Sequence, residues 1–284
     1  MFSDLYTKAA ELASQGNPFA IATVVRVEGS SSARRGSKAI IDPFGKLLVG
    51  WVGGGCAESA VRSEAITCIE TEKPRLITVD MSDEQLGVGM PCGGTMDIFI
   101  EPVLPKPELL IVGHGRIAET LAALGDMMGF TITVNDPAAD RGAFPQAERL
   151  VTEDFDLTET PIGSKSFVVI ATQHKRDHLW LKKALEGEAA YVALIASHHR
   201  AKLVLDYLRA GGVSEEKIAT VYAPAGLHLG ASTPEEIALS VMSQMVALRR
   251  GGHVQQIALE EIRLSGRGFD VDAVIRQCEA ETLP

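Results

Sequence analysis

The segment Glu108-Leu109-Leu110-Ile111-Val112-Gly113-His114-Gly115-Arg116-Ile117-Ala118 constrains the fold more than any other stretch of the chain. Its apolar run reads as a buried strand, its two glycines as a tight turn, and Ile117 onward as a helix. The first glycine permits the turn, the second lets a pyrophosphate approach the backbone, and Ala118 allows close helix–strand packing. The helix behind the turn offers unpaired N–H groups and the positive end of its dipole to an anion. Asp136 closes the following strand, 23 positions after Gly113, where an acid can bond ribose hydroxyls. These features predict a dinucleotide-type Rossmann unit, with Gly113, Gly115 and Asp136 as its cofactor-binding candidates. The motif leaves open whether that unit holds NAD(P), holds another nucleotide or serves as a scaffold.

The rest of the second half fits such a unit. Strands are expected at Thr131–Val134, Phe167–Ala171 and Tyr191–Ile195, and helices at Ile117–Met128, His178–Glu186, Arg200–Ala210 and Pro234–Arg249. Alternating strands and helices, with strands apolar throughout, call for a doubly wound parallel sheet covered on both faces. The first half has another rhythm. A helix is expected at Leu5–Ser14, a strand at Phe19–Val27, and a hairpin of Lys38–Ile41 with Lys46–Trp51 around Asp42-Pro43-Phe44-Gly45. A helix at Ala57–Glu70 and strands at Arg75–Val79 and Met96–Pro102 complete it. Pro102-Val103-Leu104-Pro105-Lys106-Pro107 carries three prolines and reads as the linker. The fold class expected is therefore α/β: a small N-terminal α/β domain (1–104), a Rossmann-like domain (105–250) and a C-terminal extension (251–284). Within that extension, Val254–Ile262 has helical character suited to partner or self-association.

At 284 residues the chain has length enough for two modest cores. A net charge of −10 argues against a general nucleic-acid binder, whose footprint would be basic. No run approaches the roughly 18 apolar residues of a membrane span. The N-terminus lacks the basic and apolar regions of a signal peptide, and the four cysteines are too scattered for a disulfide framework. A cytoplasmic protein with reduced thiols is expected, and a homodimer is the default assembly.

Two loops of the first half carry chemistry. Gly53-Gly54-Gly55-Cys56 leads straight into a helix, where exposed backbone donors and the dipole favour a thiolate. Gly87-Val88-Gly89-Met90-Pro91-Cys92-Gly93-Gly94 places a second cysteine in a still richer glycine loop. Cys56 and Cys92 form the candidate functional pair, with Gly54, Gly55, Gly93 and Gly94 beside them. Zinc fits poorly, since neither cysteine has CxxC or Cys/His company. Cys68 and Cys278 read as packing or surface residues. Arg34, Arg35 and Lys38 follow a serine-rich turn and suit either an anionic ligand or a solvated basic turn. His174 and His178, four apart, suit exposed loop positions better than a metal pair, and His198 and His199 suit the polar entry of a helix. No Ser/His/Asp order or paired-carboxylate arrangement supports a hydrolase.

Taken together, these motifs resemble the XdhC/CoxI family, accessory proteins of molybdenum hydroxylases such as xanthine dehydrogenase and carbon monoxide dehydrogenase. The matching features run from about residue 18 to 250. They include Val27-Glu28-Gly29-Ser30-Ser31, Gly53–Glu58, Cys92-Gly93-Gly94, Gly113-His114-Gly115, Asp136-Pro137, Phe144-Pro145, Pro224-Ala225-Gly226-Leu227 and Gly230–Ala238. The resemblance implies a protein that binds and protects molybdenum cofactor, in a molybdopterin or dinucleotide form. It further implies that the protein supports sulfuration of the cofactor with a cysteine desulfurase and delivers it to an apo molybdenum hydroxylase. Cys56 and Cys92 would contact the molybdenum or guard the cofactor, and the Rossmann unit would hold its nucleotide or pterin portion. The chain departs from the family where alanines stand at 193 and 196 in place of common glycines, and where His198 or His199 stands for a common arginine. Two other classes compete: an NAD(P)-dependent oxidoreductase using the Rossmann domain, and a nucleotide-sensing interaction module whose first domain is a docking surface.

Overall fold

Residues 2–80, 94–172 and 176–251 are described by the computed structural model of the chain, which parts after Lys106 into two units. Each unit has its own core.

The first unit runs α1 (Phe2–Ser14), β1 (Phe19–Glu28), β2 (Lys38–Ile41), β3 (Leu47–Gly50), α2 (Cys56–Thr71), β4 (Arg75–Asp80) and β5 (Thr95–Val103). Its sheet has the order β3-β2-β1-β5-β4, with every neighbouring pair antiparallel. Alternate residues of β1 point to opposite faces. Ala20, Ala22 and Val24 join Ile98 and Ile100 of β5 beneath Val61, Ala65 and Cys68 of α2. Phe19 and Ile21 turn the other way, toward Leu5 and Leu12 of α1 and Ile40 of β2. Helices on both faces explain why β1 opens with an apolar run on both faces, Phe19 to Ala22. The β1–β5 register slips between Val24 and Arg26, a bulge that bends β1 as it approaches the serine-rich turn.

Pro102, expected both to end a strand and to open the linker, lies within β5 opposite Ala20. The β4 partner has already ended at Arg75 opposite Ile100. The missing proline N–H therefore breaks no ladder on that side.

The second unit runs β6 (Glu108–Val112), α3 (Arg116–Met127), β7 (Thr131–Asn135), β8 (Arg149–Val151), β9 (Ser166–Ile170), α4 (Asp177–Ala184), β10 (Tyr191–Leu194), α5 (His198–Ala210), α6 (Glu215–Ile218), β11 (Val221–Tyr222) and α7 (Pro234–Arg250). Its six strands are parallel in the order β11-β10-β9-β6-β7-β8. The chain starts at the centre, winds out through β7 and β8, returns to β9 beside β6, and winds out the other way. That is the doubly wound Rossmann order. Leu109 and Ile111 face α3 and α7, where Leu121, Met242 and Met245 lie. Leu110 and Val112 face α4 and α5, meeting Leu181, Leu205 and Leu208. The connection from β8 to β9 carries no helix. Asp154 holds it, accepting from the N–H groups of Thr158 at 2.8 Å and Glu159 at 2.9 Å. Burial pushes the Asp154 carboxyl up, but these bonds and the Thr158 hydroxyl outweigh it and leave it below its ordinary value. Among the described residues no helix is long and apolar enough to cross a membrane.

α7 starts with a capping box between Thr233 and Glu236 and a proline in its first turn, the arrangement that Thr-Pro-Glu-Glu encodes. Further along, the fully buried Gln244 accepts from the Tyr191 hydroxyl at 2.5 Å and the Gly226 N–H at 2.9 Å. It thereby ties the loop after β11 to the sheet. Replacing it with leucine orphans both donors in the core, each at about 1–3 kcal/mol. Gln244→Leu is expected to lower the urea unfolding midpoint by an amount corresponding to at least roughly 2 kcal/mol.

Candidate functional site

In the first unit, three separately noticed motifs meet. A Cβ on Gly94 would lie 2.4 Å from the Ser30 carbonyl oxygen and 2.6 Å from that of Glu28. Only glycine lets the chain entering β5 pass so close to the turn leaving β1. A Cβ on Gly53 would lie 3.3 Å from Met96 Cε and 3.6 Å from Ser32 Oγ. The Ser31 hydroxyl in turn donates to Met96 Sδ at 2.8 Å. The serine turn, the glycine loop before α2 and the start of β5 thus share one corner of the sheet. Met96 is their common neighbour, and its place on the inward face of β5 was the only sequence signal for it.

Cys56, expected just ahead of the helix, is the first residue of α2 and is half-buried with a free thiol. Gly55 caps the helix at φ +59° and gives no side-chain bond. The first-turn amides, with their share of the dipole, are left without a side-chain cap. Nothing lies within 4 Å of where a Gly54 Cβ would stand, so the loop is open there. Arg34 and Arg35 are exposed and enter no ion pair among the described residues. Lys38 is committed elsewhere, donating to Thr23 Oγ1 at 2.7 Å. Cys68 is fully buried with its sulfur 3.7 Å from the Ile100 carbonyl oxygen, and burial pushes its thiol up. That is a packing cysteine. Cys92 and Gly93 lie outside the described residues, as do Cys278 and His174. Among the described residues no three His, Cys, Asp or Glu side chains gather as a metal-ion site.

In the second unit the glycine turn stands at the carboxyl end of β6, between β7 and β9, where the winding reverses. This is the ligand crevice of an open parallel sheet. Gly113 has φ +131°, and a Cβ on it would lie 2.4 Å from the Ala171 carbonyl oxygen. Gly115 caps α3 with no side-chain bond. Asp136 follows β7 as expected, but it already has a partner in the turn: its Oδ1 stands 2.9 Å from His114 Nδ1. The same oxygen accepts from the Ala138 N–H at 2.8 Å. Nearby, the almost wholly buried Asp177 accepts from the Thr172 hydroxyl and from Arg200 Nε at 2.8 Å. That network joins the end of β9 to the first turns of α4 and α5. Sequence spacing gave no hint of either carboxylate's partner.

Of the other histidines, His178 stands in the first turn of α4, where a helix was expected to begin, rather than in an exposed loop, its ring 4.3 Å from that of Tyr207. His198 and His199 open α5 behind the cap Ser197, with His198 Nδ1 buried and unpartnered.

The fold and its two glycine-lined corners define a protein in which a nucleotide-type Rossmann unit follows a smaller α/β unit along the chain. Known proteins sharpen this. The model of the XdhC and CoxI family matches residues 12–80, and that of the XdhC Rossmann domain matches residues 109–245. The chain belongs to the XdhC/CoxI family. It is 34% identical over 253 residues to the uncharacterized protein YqeB of Escherichia coli K12, covering 87% of this chain and 46% of that one. It is 31% identical over 162 residues to a probable xanthine dehydrogenase subunit of Bacillus subtilis 168, covering 55% and 47%. A third relative, the molybdenum cofactor insertion chaperone PaoD of Escherichia coli K12, is 22% identical over 276 residues, covering 85% and 86%. The chain spans about half the length of the first two.

Two glycines of the first corner, Gly94 and Gly54, should respond differently to a methyl group. Gly94→Ala drives a Cβ into the Ser30 carbonyl and is expected to cost roughly 1–3 kcal/mol. Gly54→Ala meets open space and is expected to stay within about 0.5 kcal/mol of the unaltered protein. Thermal or urea unfolding of the two variants side by side checks this.

Proposed function

We propose that the chain is an accessory protein that binds molybdenum cofactor and passes it to an apo molybdenum hydroxylase of the xanthine or carbon monoxide dehydrogenase type. The observation that carries this reading is the convergence of the serine turn, the Gly53–Cys56 loop and Gly94 at one corner. Family membership and the function that PaoD is named for, in a relative matched along most of both chains, support it.

The residues at that corner suit such a group. Uncapped amides at the start of α2 and the exposed Arg34 and Arg35 offer donors and charge to a phosphate. Cys56 offers a soft sulfur ligand. Donors for a phosphate beside one soft sulfur suit a carrier that holds the group by its organic part and touches the metal with a thiolate. When bound, the group supplies the metal–sulfur chemistry that the client enzyme uses. The chain's own work is to seat the phosphate on backbone donors and to keep water from the reactive end.

In this proposal Gly54, Gly55, Cys56, Cys92, Gly93 and Gly94 are the cofactor-binding residues of this unit, and Cys56 and Cys92 guard the molybdenum. Gly113, Gly115 and the Rossmann crevice receive the nucleotide or pterin portion. A cysteine desulfurase is the partner for sulfuration, the assembly is a homodimer, and the setting is the cytoplasm. An NAD(P)-dependent oxidoreductase is the competing function, favoured by the doubly wound topology alone.

Incubation of the purified protein with molybdenum cofactor, followed by measurement of bound molybdenum and oxidised pterin, tests the proposal. Stoichiometric binding is expected, falling by about tenfold or more in Cys56→Ala or Cys92→Ala, the equivalent of about 1.4 kcal/mol. No binding, together with NAD(P)H turnover on a small substrate, would sink it.

A further inference from the structure

We infer that His114 is a specificity determinant of the Rossmann crevice: by capturing Asp136 it withdraws that carboxylate from gripping a ribose diol. The crevice is thereby tuned to phosphate-bearing ligands whose hold does not rest on a ribose diol at Asp136. It belongs wholly to the second unit, and its selectivity does not depend on the proposed accessory role.

A carboxylate at the end of the second strand of such a unit grips a ribose by accepting from its two neighbouring hydroxyls. It needs both oxygens for that, and they must be open. Asp136 stands at that place, following β7, but its Oδ1 is taken twice, by His114 Nδ1 at 2.9 Å and by the Ala138 N–H at 2.8 Å. A carboxylate is acceptor-only, so Nδ1 is the protonated nitrogen of the ring. The Asp136 side chain is only 14% exposed, against 30% for His114. The ring is therefore the more accessible member of the pair. A diol could take the grip that uses both oxygens only by expelling an imidazole from a hydrogen bond to a charged group, which carries more weight than a neutral one.

Two arginines near the crevice that a 2′-phosphate could use are already engaged. Arg116, next to the turn, is held by Glu235 at 2.7 Å, and Arg200 by Asp177 at 2.8 Å. What the crevice keeps is its phosphate-binding part: the Gly113 turn and the α3 N-terminus, where Gly115 places no side-chain cap.

Fluorescence titration with NADH reads this directly. The unaltered protein is expected to bind NADH weakly. His114→Ala frees Asp136 and should bind it about ten- to a hundredfold more tightly, the weight of a hydrogen bond to a charged group. His114→Ala combined with Asp136→Asn should fall back to the unaltered level. His114→Ser, with circular dichroism on every variant, is run in parallel so that a folding defect in one variant leaves the comparison intact. The inference is overturned if the unaltered protein binds NADH as tightly as the His114 variants, if neither variant gains affinity, or if the gain survives Asp136→Asn.

Discussion

A backbone passes where a side chain cannot: the chain entering β5 crosses the Ser30 and Glu28 carbonyl oxygens at a distance that leaves no room for a Cβ on Gly94. The first-unit corner depends on that contact. It brings the start of β5 to the turn leaving β1, and Met96, two residues on, then meets both Ser31 and the Gly53 loop. Cys56 and the open amides of α2 are carried to the same place because α2 lies across β1 and β5 through Val61, Ala65 and Cys68. The chemistry at the corner is thus a consequence of sheet packing, with glycines at the points where backbones meet.

The second unit uses the same device at Gly113, whose missing side chain lets the end of β9 close against the turn. There the result is more restrictive. The turn keeps the open helix N-terminus on which phosphate binding rests, while His114 and Asp136 neutralise each other's availability at 2.9 Å. A doubly wound sheet with a glycine turn is shared by proteins with many tasks. The side chains set into that frame, rather than the frame, decide what it accepts.

Much of this was legible in the sequence, for physical reasons. The glycine turn at 113–115 sits between a continuous apolar run and a helical pattern, and that local signature has few structural solutions. β1 and β6 were visible because helices on both faces demand apolar residues on both sides of a strand. β8, β11 and α6 were not, since three, two and four residues are too few for any periodicity to show. Pro102 read as both strand end and linker start, because its position beyond the end of β4 is a property of the sheet, not of its neighbours in sequence. The candidate glycines and Cys56 could be picked out by local composition. Their convergence could not, because Ser31 and Met96 are 65 positions apart. Nor could the pairing of His114 with Asp136, or of Gln244 with Tyr191, which are matters of strand order rather than spacing. Cys92, half of the expected pair, lies outside the described residues.

The most direct test of the central claim is hydrogen–deuterium exchange of the full chain with and without molybdenum cofactor. A cofactor seated at the first-unit corner should slow exchange in peptides covering 29–35, 53–59 and 94–97, since those backbones come together there. Protection confined to the Rossmann unit, or spread evenly along the chain, would contradict the account.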